Sequence, residues 1–161
     1  MADPQIRVAR PSDVSDLVRL VHELAAYERA PELCSLTAEQ LHERLFGPSP
    51  AVYAHVAEIG GEIVGTAIWF LNFSTWDGVH GIYLEDLYVT PEHRGAGLGS
   101  ALLRTLAQVC VERGYSRLAW QVLGWNEPSI AFYESLGAVN QREWFTYRLS
   151  GDPLQRLGAS S

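Results

Sequence analysis

The segment of this sequence with the clearest chemical potential is a glycine-rich turn between a predicted strand and a predicted long helix. It reads Arg94-Gly95-Ala96-Gly97-Leu98-Gly99-Ser100. Glycines let a ligand approach the backbone closely, and a helix N-terminus presents N–H groups with a partial positive charge. The arginine can add charge-assisted hydrogen bonds. The turn therefore predicts a site for a phosphate or a pyrophosphate.

Three nucleotide-binding interpretations compete for this turn. A P-loop requires a lysine before its final Ser or Thr, and Gly99 occupies that position before Ser100. A dinucleotide-binding fingerprint requires GxGxxG and a longer βαβ array than the remaining chain can supply, whereas the spacing here is GxGxG. The third interpretation is an R-x-x-G-x-G turn that grips the pyrophosphate of coenzyme A. A flexible strand-to-helix turn without a ligand also stays open at this point.

Two carboxylates and one tyrosine are candidates for acid–base chemistry. Glu85 and Asp86 adjoin in a predicted strand, where alternation places neighbours on opposite faces unless the backbone bulges. Both can reach one pocket only through such an irregularity. Tyr133 follows Phe132 in a predicted helix, and its alternative role is that of a core aromatic.

Composition limits the partners. The 161 residues include 12 basic and 19 acidic side chains, so an acidic chain of net charge −7 is a poor candidate for nucleic acid or an anionic membrane. Cys34 and Cys110 lie far apart, and the five histidines lack metal-ligand spacing, so no metal is expected. The sequence contains no evident signal peptide and no apolar run of about 20 residues, which predicts a cytoplasmic location.

Hydrophobic periodicity predicts an α/β fold, a mixed sheet with helices on both faces. The chain, residues 1–161, is expected to be a single domain that ends in a loose tail, residues 151–161. The predicted strands are 6–9, 52–59, 62–73, 82–89, 117–123 and 144–149. The predicted helices are 12–27, 37–47, 98–114 and 126–137. Ser12 and Asn126 are expected to be N-caps, and Thr37 and Gln40 are expected to form a capping box. Gly60-Gly61 predicts a hairpin between the second and third strands.

Collinear blocks between about residues 6 and 144 resemble the GNAT acetyltransferases, and among them the spermidine/spermine acetyltransferases and their thialysine-acetylating relatives. The blocks that carry the general likeness are Tyr83-Leu84-Glu85-Asp86-Leu87-Tyr88-Val89, the glycine turn, and Trp125-Asn126-Glu127-Pro128-Ser129-Ile130-Ala131-Phe132-Tyr133. Residues 23–28 and 74–76 are similar to that subfamily. Residues 74–76 and 122–126 favour its thialysine-acetylating branch.

The resemblance implies a GNAT fold with a mostly antiparallel sheet, and acetyl-CoA as the acyl donor. It implies that the pyrophosphate lies on the amides from Gly95 to Ser100 and that Tyr133 protonates the leaving thiolate. Glu85 would help to deprotonate the amine through water. The other coenzyme positions implied are Leu87, Tyr88, Val89, Arg94, Asn126 and Ser129. The substrate positions implied are Tyr27, Glu28, Glu85, Asp86, Ala119, Trp120 and Gln121.

The chemistry of amine acetylation requires the same residue types. A primary amine with a pKa of about 10.4 is mostly protonated at pH 7. Carboxylates can bind this cation, and one of them can help to remove the proton before the amine attacks. The departing thiolate belongs to a thiol with a pKa of roughly 8.5, and a phenol with a pKa of about 10 is a suitable proton donor to it. The expected reaction is therefore acetylation of a polyamine, diamine or thialysine-like amino acid by direct attack of the amine on the thioester.

Two alternatives remain from the sequence. One is acetylation of a protein amine or another small amine, and the other is a non-catalytic acyl-CoA sensor that retained the coenzyme turn. Tyr133 and Glu85 together favour the enzyme. The resemblance also suggests a homodimer in which both subunits shape the substrate cleft.

Overall fold

The computed structural model describes residues 2–159. Two compact units are present, one that extends to Gln121 and one that begins at Val122. The strands are β1 (Gln5–Val8), β2 (Tyr53–Ile59), β3 (Glu62–Ser74), β4 (Val79–Val89) and β5 (Leu118–Ala119). The helices are α1 (Val14–Tyr27), α2 (Ala38–Phe46), α3 (Leu98–Arg113), α4 (Glu127–Ser135) and α5 (Gly151–Ala159).

The five strands form one sheet in the order β1-β2-β3-β4-β5. The first three pairings are antiparallel and the pairing of β4 with β5 is parallel, so the predicted mixed and mostly antiparallel sheet is confirmed. Gly60 and Gly61 form the predicted hairpin between β2 and β3, and both adopt positive φ angles, as two-residue hairpin turns require.

Helices cover both faces of this sheet. On one face, Leu17 and Leu20 of α1 and Leu41 of α2 pack in one cluster with Val56 and Ile68 of the sheet. Helix α3 lies against β2, β3 and β4 and buries its apolar side there. Its buried residues are Leu98, Leu102, Leu103, Leu106 and Cys110. Together the two layers hold β4 between α1 and α3.

The start of α1 differs from the prediction. Ser12 was expected to cap the helix, but it lies in a short 3-10 turn, and the Asp13 carboxylate instead accepts a hydrogen bond from the Arg10 N–H at 2.7 Å. Asp13 also pairs with Arg7, which binds Glu58 of β2 as well, so the helix start is tied to the sheet. For α2 the predicted capping box of Thr37 and Gln40 is confirmed.

Three predictions on the C-terminal part were wrong. The strand predicted at 117–123 is limited to β5, because only Leu118 and Ala119 pair with β4. No strand forms at 144–149, because a strand requires a neighbour for its backbone groups and no described residue supplies one. Residues 151–159 are helical rather than a loose tail, since Asp152 and Pro153 are both favourable in a first helical turn. Residues 160–161 of the predicted tail lie outside the described residues.

Every helix within residues 2–159 is too short or too polar to cross a lipid bilayer. In the same part of the chain, no three His, Cys, Asp or Glu side chains are arranged so that they could hold a metal ion.

Candidate functional site

The glycine turn connects β4 to α3 and leaves its outer surface open. Gly95 and Gly97 have φ angles of +83° and +78°, a backbone conformation that residues with a side chain rarely adopt. Apart from its own chain neighbours, a Cβ built on either glycine would meet no atom of residues 2–159 within 4 Å. The glycines are therefore required by the backbone conformation and not by crowding within the protein. Their open side is free for a ligand.

The first amides of α3 face the same turn. The first hydrogen bond of the helix runs from the Ala101 N–H to the Gly97 carbonyl at 2.9 Å. The preceding N–H groups, those of Leu98, Gly99 and Ser100, therefore have no intrahelical acceptor. No acidic residue occupies this first turn, so the partial positive charge of the helix end is not neutralised there. The arrangement suits an anion.

Strand β4 offers a second backbone surface. On one side it pairs with β3 along its whole length, but on the other side β5 pairs only with Ile82 and Tyr83. Within the described residues, the edge from Leu84 to Val89 therefore carries no strand. Leu87, Tyr88 and Val89, the predicted coenzyme positions, lie on this edge, where alternate N–H and C=O groups are available to an extended ligand.

A bulge in β4 places both predicted carboxylates on one face. Trp69 pairs with Leu84 and Ile68 pairs with Asp86, so Glu85 is an extra residue between the two pairs. Glu85 lies on the face opposite Leu84 by alternation, and Asp86 shares the face of its partner Ile68. Ile68 packs in the α1 cluster. The irregularity that the sequence required is thus present, and both carboxylates face α1.

Glu28, the residue after α1, adds a third carboxylate to this face. Burial, together with the charges of Glu85 and Glu28, raises the pKa of Asp86 to about 6. Burial also raises the pKa of Glu28. Glu85 and Glu28 each lie close enough to Asp86 to interact with it electrostatically, and a cation placed beside Asp86 would relieve the repulsion. We call Glu28, Glu85 and Asp86 the carboxylate cluster.

A cleft of about 650 Å³ lies between the C-terminal half of α1 and the end of β4. Its lining includes Tyr27, the last residue of α1, together with Tyr88 and Arg94. Arg94 is exposed, but its side chain lies against two aromatic rings. Its guanidinium lies 4.9 Å from the Tyr27 ring centre and 5.3 Å from that of Tyr88. Glu23 also lines the cleft, a residue that sequence reasoning did not single out.

The second unit holds the remaining predicted residues. Asn126 is buried and caps α4, since its side-chain oxygen accepts a hydrogen bond from the Ser129 N–H at 3.4 Å. Tyr133 lies in the last turns of α4, half-buried, with its ring 5.4 Å from that of Phe132. The predicted Asn126 cap and the predicted helix are confirmed, and the helix ends at Ser135. The roles of Asn126, Ser129 and Tyr133 toward a ligand stay predictions.

The substrate positions near β5 are less regular than expected. Ala119 ends β5, and Trp120 and Gln121 follow it outside any strand. Ala119 and Trp120 are half-buried, whereas Gln121 is exposed.

The chain matches known acetyltransferases over most of its length. A sequence profile of the acetyltransferase (GNAT) family matches residues 17–138. The chain is 36% identical to a thialysine N-epsilon-acetyltransferase of Bos taurus, with 98% of each protein covered. It is 32% identical to the spermidine/spermine N(1)-acetyltransferase-like protein 1 of Homo sapiens, over 93% of this chain and 23% of that protein.

The fold supports the same assignment. A solved integron cassette protein from the mobile metagenome of V. cholerae matches with a TM-score of 0.83 and 27% identity, over 99% of each chain. The predicted GNAT fold is confirmed. The open glycine turn at the start of α3 lies within the residues that match the family profile. This chain belongs to the GNAT family of N-acetyltransferases.

Proposed function

We propose that this enzyme transfers an acetyl group from acetyl-CoA to a primary amine of a small cationic acceptor, a polyamine or diamine or a thialysine-like amino acid. The observation that carries the proposal is the carboxylate cluster on β4 and α1. Its three acidic groups include one, Asp86, whose pKa is raised to about 6 by burial and by its neighbours. Such a group is stabilised when a cation binds beside it.

The residues of the first unit fit the coenzyme. The open side of Gly95 and Gly97 admits a pyrophosphate next to the amides of residues 95–100, where a side chain would occupy the space. The unpaired edge of β4, from Leu84 to Val89, suits an extended pantetheine arm. When bound, acetyl-CoA supplies an activated thioester. Asn126 and Ser129 of the second unit are proposed as further coenzyme contacts.

Two residues are proposed to move protons. Glu85 is exposed on the bulge, so it can accept the ammonium proton through water and release it to solvent. Tyr133 is proposed to hold the proton for the departing thiolate, because a phenol pKa near 10 is matched to a thiol pKa of about 8.5. No covalent enzyme intermediate is required, because the neutral amine attacks the thioester directly.

The acceptor pocket is proposed to contain Tyr27, Glu28, Glu85 and Asp86, together with residues 119–121. The relatives named above support two acceptor classes: a thialysine-like amino acid and a polyamine. Both classes carry the ammonium group that the carboxylate cluster would attract.

The proposal includes a homodimer that forms through residues 144–149. Trp144, Phe145 and Tyr147 are 72%, 83% and 94% exposed in the single chain. An aromatic side chain buries about 150–250 Å², so these three in two copies would remove on the order of 1,000 Å² from water, enough for a specific interface. A second copy also supplies the neighbour that this strand-like run lacks. The cytoplasmic location stays a prediction.

The experiment is turnover of acetyl-CoA against a panel of spermidine, putrescine, thialysine, lysine and aminoglycosides, followed by release of free coenzyme A. We expect amine-dependent release with a diamine or a thialysine-like acceptor. Tight coenzyme binding without release, for any amine, would instead identify an acyl-CoA sensor. Release only with protein or peptide amines would move the acceptor to another class.

A further inference from the structure

Arg94 begins the glycine turn, and although the residue is exposed, its side chain contacts the end of α1. Its Nε donates a hydrogen bond to the carbonyl of Val89, the last residue of β4, at 3.0 Å. Its guanidinium contacts the rings of Tyr27 and Tyr88, at 4.9 and 5.3 Å from their centres. One side chain therefore joins the glycine turn, the end of β4 and the end of α1.

The two tyrosines differ in how deeply they are buried. Tyr88 belongs to the buried cluster beneath α1 and is 6% exposed. Burial and the nearby Glu23 carboxylate raise the pKa of its phenol, whereas Arg94 acts in the opposite direction and lowers it. Tyr27 is 38% exposed and is the final residue of α1. Two residues further, Arg29 adopts a positive φ of 65°, where the chain turns sharply. Arg94 thus connects a fixed ring to a more exposed one.

Tyr27 is followed directly by Glu28 of the carboxylate cluster. A contact that fixes Tyr27 also limits where Glu28 can lie relative to Glu85 and Asp86 on β4. The guanidinium is planar and its Nε–H has a single direction, so the contact with two rings and one carbonyl sets a geometry that a flexible ammonium would not reproduce.

We infer that Arg94 is a positioning residue that holds the end of α1, and with it the acceptor side of the pocket, against the glycine turn. This inference rests on the proposed function for the identity of the pocket. It differs from the sequence expectation, in which the arginine side chain binds the pyrophosphate. The backbone amides of the turn, not this side chain, then carry the coenzyme phosphate.

The first test separates positioning from pyrophosphate binding. Dissociation constants for acetyl-CoA and for S-acetylpantetheine, which lacks the pyrophosphate, are measured by calorimetry on wild type, Arg94→Met and Arg94→Lys. The inference expects both constants to change less than threefold in both variants. A pyrophosphate ligand would show at least a tenfold loss for acetyl-CoA alone in Arg94→Met, with recovery in Arg94→Lys, and that result would overturn the inference.

The second test follows the acceptor. Arg94→Met should raise the acceptor KM at least tenfold with kcat within about threefold, and Arg94→Lys should not restore it. Lysine and cadaverine differ by one carboxylate, and Arg94→Met should raise the KM for both by the same factor. A defect confined to lysine would mean that Arg94 binds the acceptor carboxylate directly, which contradicts a positioning role. Arg104→Met, an exposed arginine on α3, is the matched control and should leave KM unchanged.

The third test needs no ligand. Urea unfolding of Arg94→Met, Tyr27→Leu and the double variant should show losses that do not add, because either change already breaks the same contact. Additive losses would overturn the inference. If wild type acetylates no amine, the proposed function fails, but this cycle still decides whether Arg94 holds Tyr27.

Discussion

Asp86 on β4 lies directly opposite Ile68 on β3, and both side chains face helix α1. Because the next pairing joins Trp69 to Leu84, Glu85 is left as an extra residue that bulges from the strand. The bulge turns what would be one inward and one outward carboxylate into two that share a face. A single irregularity of the backbone thus creates the acidic surface that an ammonium group requires.

The first prediction concerns the stability of Asp86→Asn. Folding raises the pKa of Asp86 from 3.8 to about 6, so the native state holds a proton between those values that the unfolded chain has released. The free energy of unfolding therefore falls as pH rises from about 4 to 6, and above pH 6 the ionised carboxylate destabilises the fold. Asp86→Asn should gain about 1–2 kcal/mol at pH 7.5 and nothing near pH 4, measured by urea unfolding.

Glu112→Gln is the control for that measurement, because Glu112 is exposed on α3 and does not belong to the carboxylate cluster. It should change the free energy of unfolding by less than about 0.5 kcal/mol at either pH. The stabilised Asp86→Asn variant should also bind its cationic acceptor more weakly, since the repulsion that weakens the fold is relieved by the substrate. Loss of stability in Asp86→Asn at pH 7.5 would contradict a carboxylate destabilised by its surroundings.

The second prediction assigns proton removal to Glu85. Glu85→Gln should reduce kcat/KM most at pH 6.5–7, where free amine is scarce, and the defect should shrink toward pH 10, where the amine is already neutral. The pH profile is measured alongside Glu112→Gln, an exposed carboxylate of α3, which should match wild type throughout. A defect of equal size at every pH would instead assign Glu85 to binding or structure.

The third prediction tests the glycine turn. Gly97→Val places a side chain in space that the protein leaves empty, so its steric effect falls on the coenzyme alone. The variant also suffers backbone strain of about 1–2 kcal/mol at φ +78°. Acetyl-CoA affinity should fall at least 100-fold in calorimetry while the protein stays folded.

Gly114 provides a matched control for that strain. It lies after the other end of α3, with φ +70° and no protein atom within 4 Å of its Cβ position. Gly114→Val should lose similar stability but keep its coenzyme affinity, because 16 helical residues, or about 24 Å, separate it from the turn. Unchanged affinity in a folded Gly97→Val protein would remove the turn from the coenzyme site.

Local features of this fold were predictable from the sequence, because they depend on residues close together in the chain. The Gly60-Gly61 hairpin, the Thr37 capping box and the glycine turn before α3 belong to this class. The bulge at Glu85 was recognised as a requirement, but its presence is decided by register with β3. The contact between Arg94 and Tyr27 joins residues far apart in the sequence, and no local pattern indicates it.

Residues 144–149 show a further limit of sequence reasoning. Their aromatic and β-branched pattern is typical of a strand, yet pairing depends on a neighbour that the pattern does not specify. In the described chain the aromatics are exposed and no strand forms. The pattern indicates a preference for extended backbone, but a strand forms only where a neighbouring strand is available to pair with it.

The fourth prediction is that a second copy of the chain is the partner of residues 144–149, so that the protein is a homodimer. Light scattering after size-exclusion chromatography should give about twice the monomer mass for wild type. Changing Phe145 and Tyr147 together to Ser should shift the protein to monomer, because both side chains lose their burial in the interface. Trp76→Ser is the control: Trp76 is 91% exposed but lies in the first unit, and its loss should leave the mass unchanged. A monomeric wild type at micromolar concentration would contradict the dimer.

The fifth prediction is that Tyr133→Phe lowers kcat by roughly 10²–10⁴, the usual effect of removing one general acid, with little change in acetyl-CoA affinity. Phenylalanine keeps the ring and its contact with Phe132, so the change isolates the hydroxyl. Tyr53→Phe, on β2 and 37% exposed, controls for loss of a phenol as such and should turn over normally, because Tyr53 has no proposed role in the site. A core-aromatic role predicts the reverse, near-normal turnover with a small loss of stability.

The leaving group gives a second measurement on the same variant. If the Tyr133 phenol protonates the departing thiolate, an acyl donor with a more acidic thiol needs less help, and Tyr133→Phe should recover part of its lost rate with that donor. A hydroxyl that instead orients the acceptor would leave the defect the same with both donors, because the acceptor is unchanged. Steady-state kinetics with acetyl-CoA and one activated thioester, on both enzymes, separate these roles. A variant within about threefold of wild type would exclude the acid role, since that ratio is well under about 1 kcal/mol of barrier.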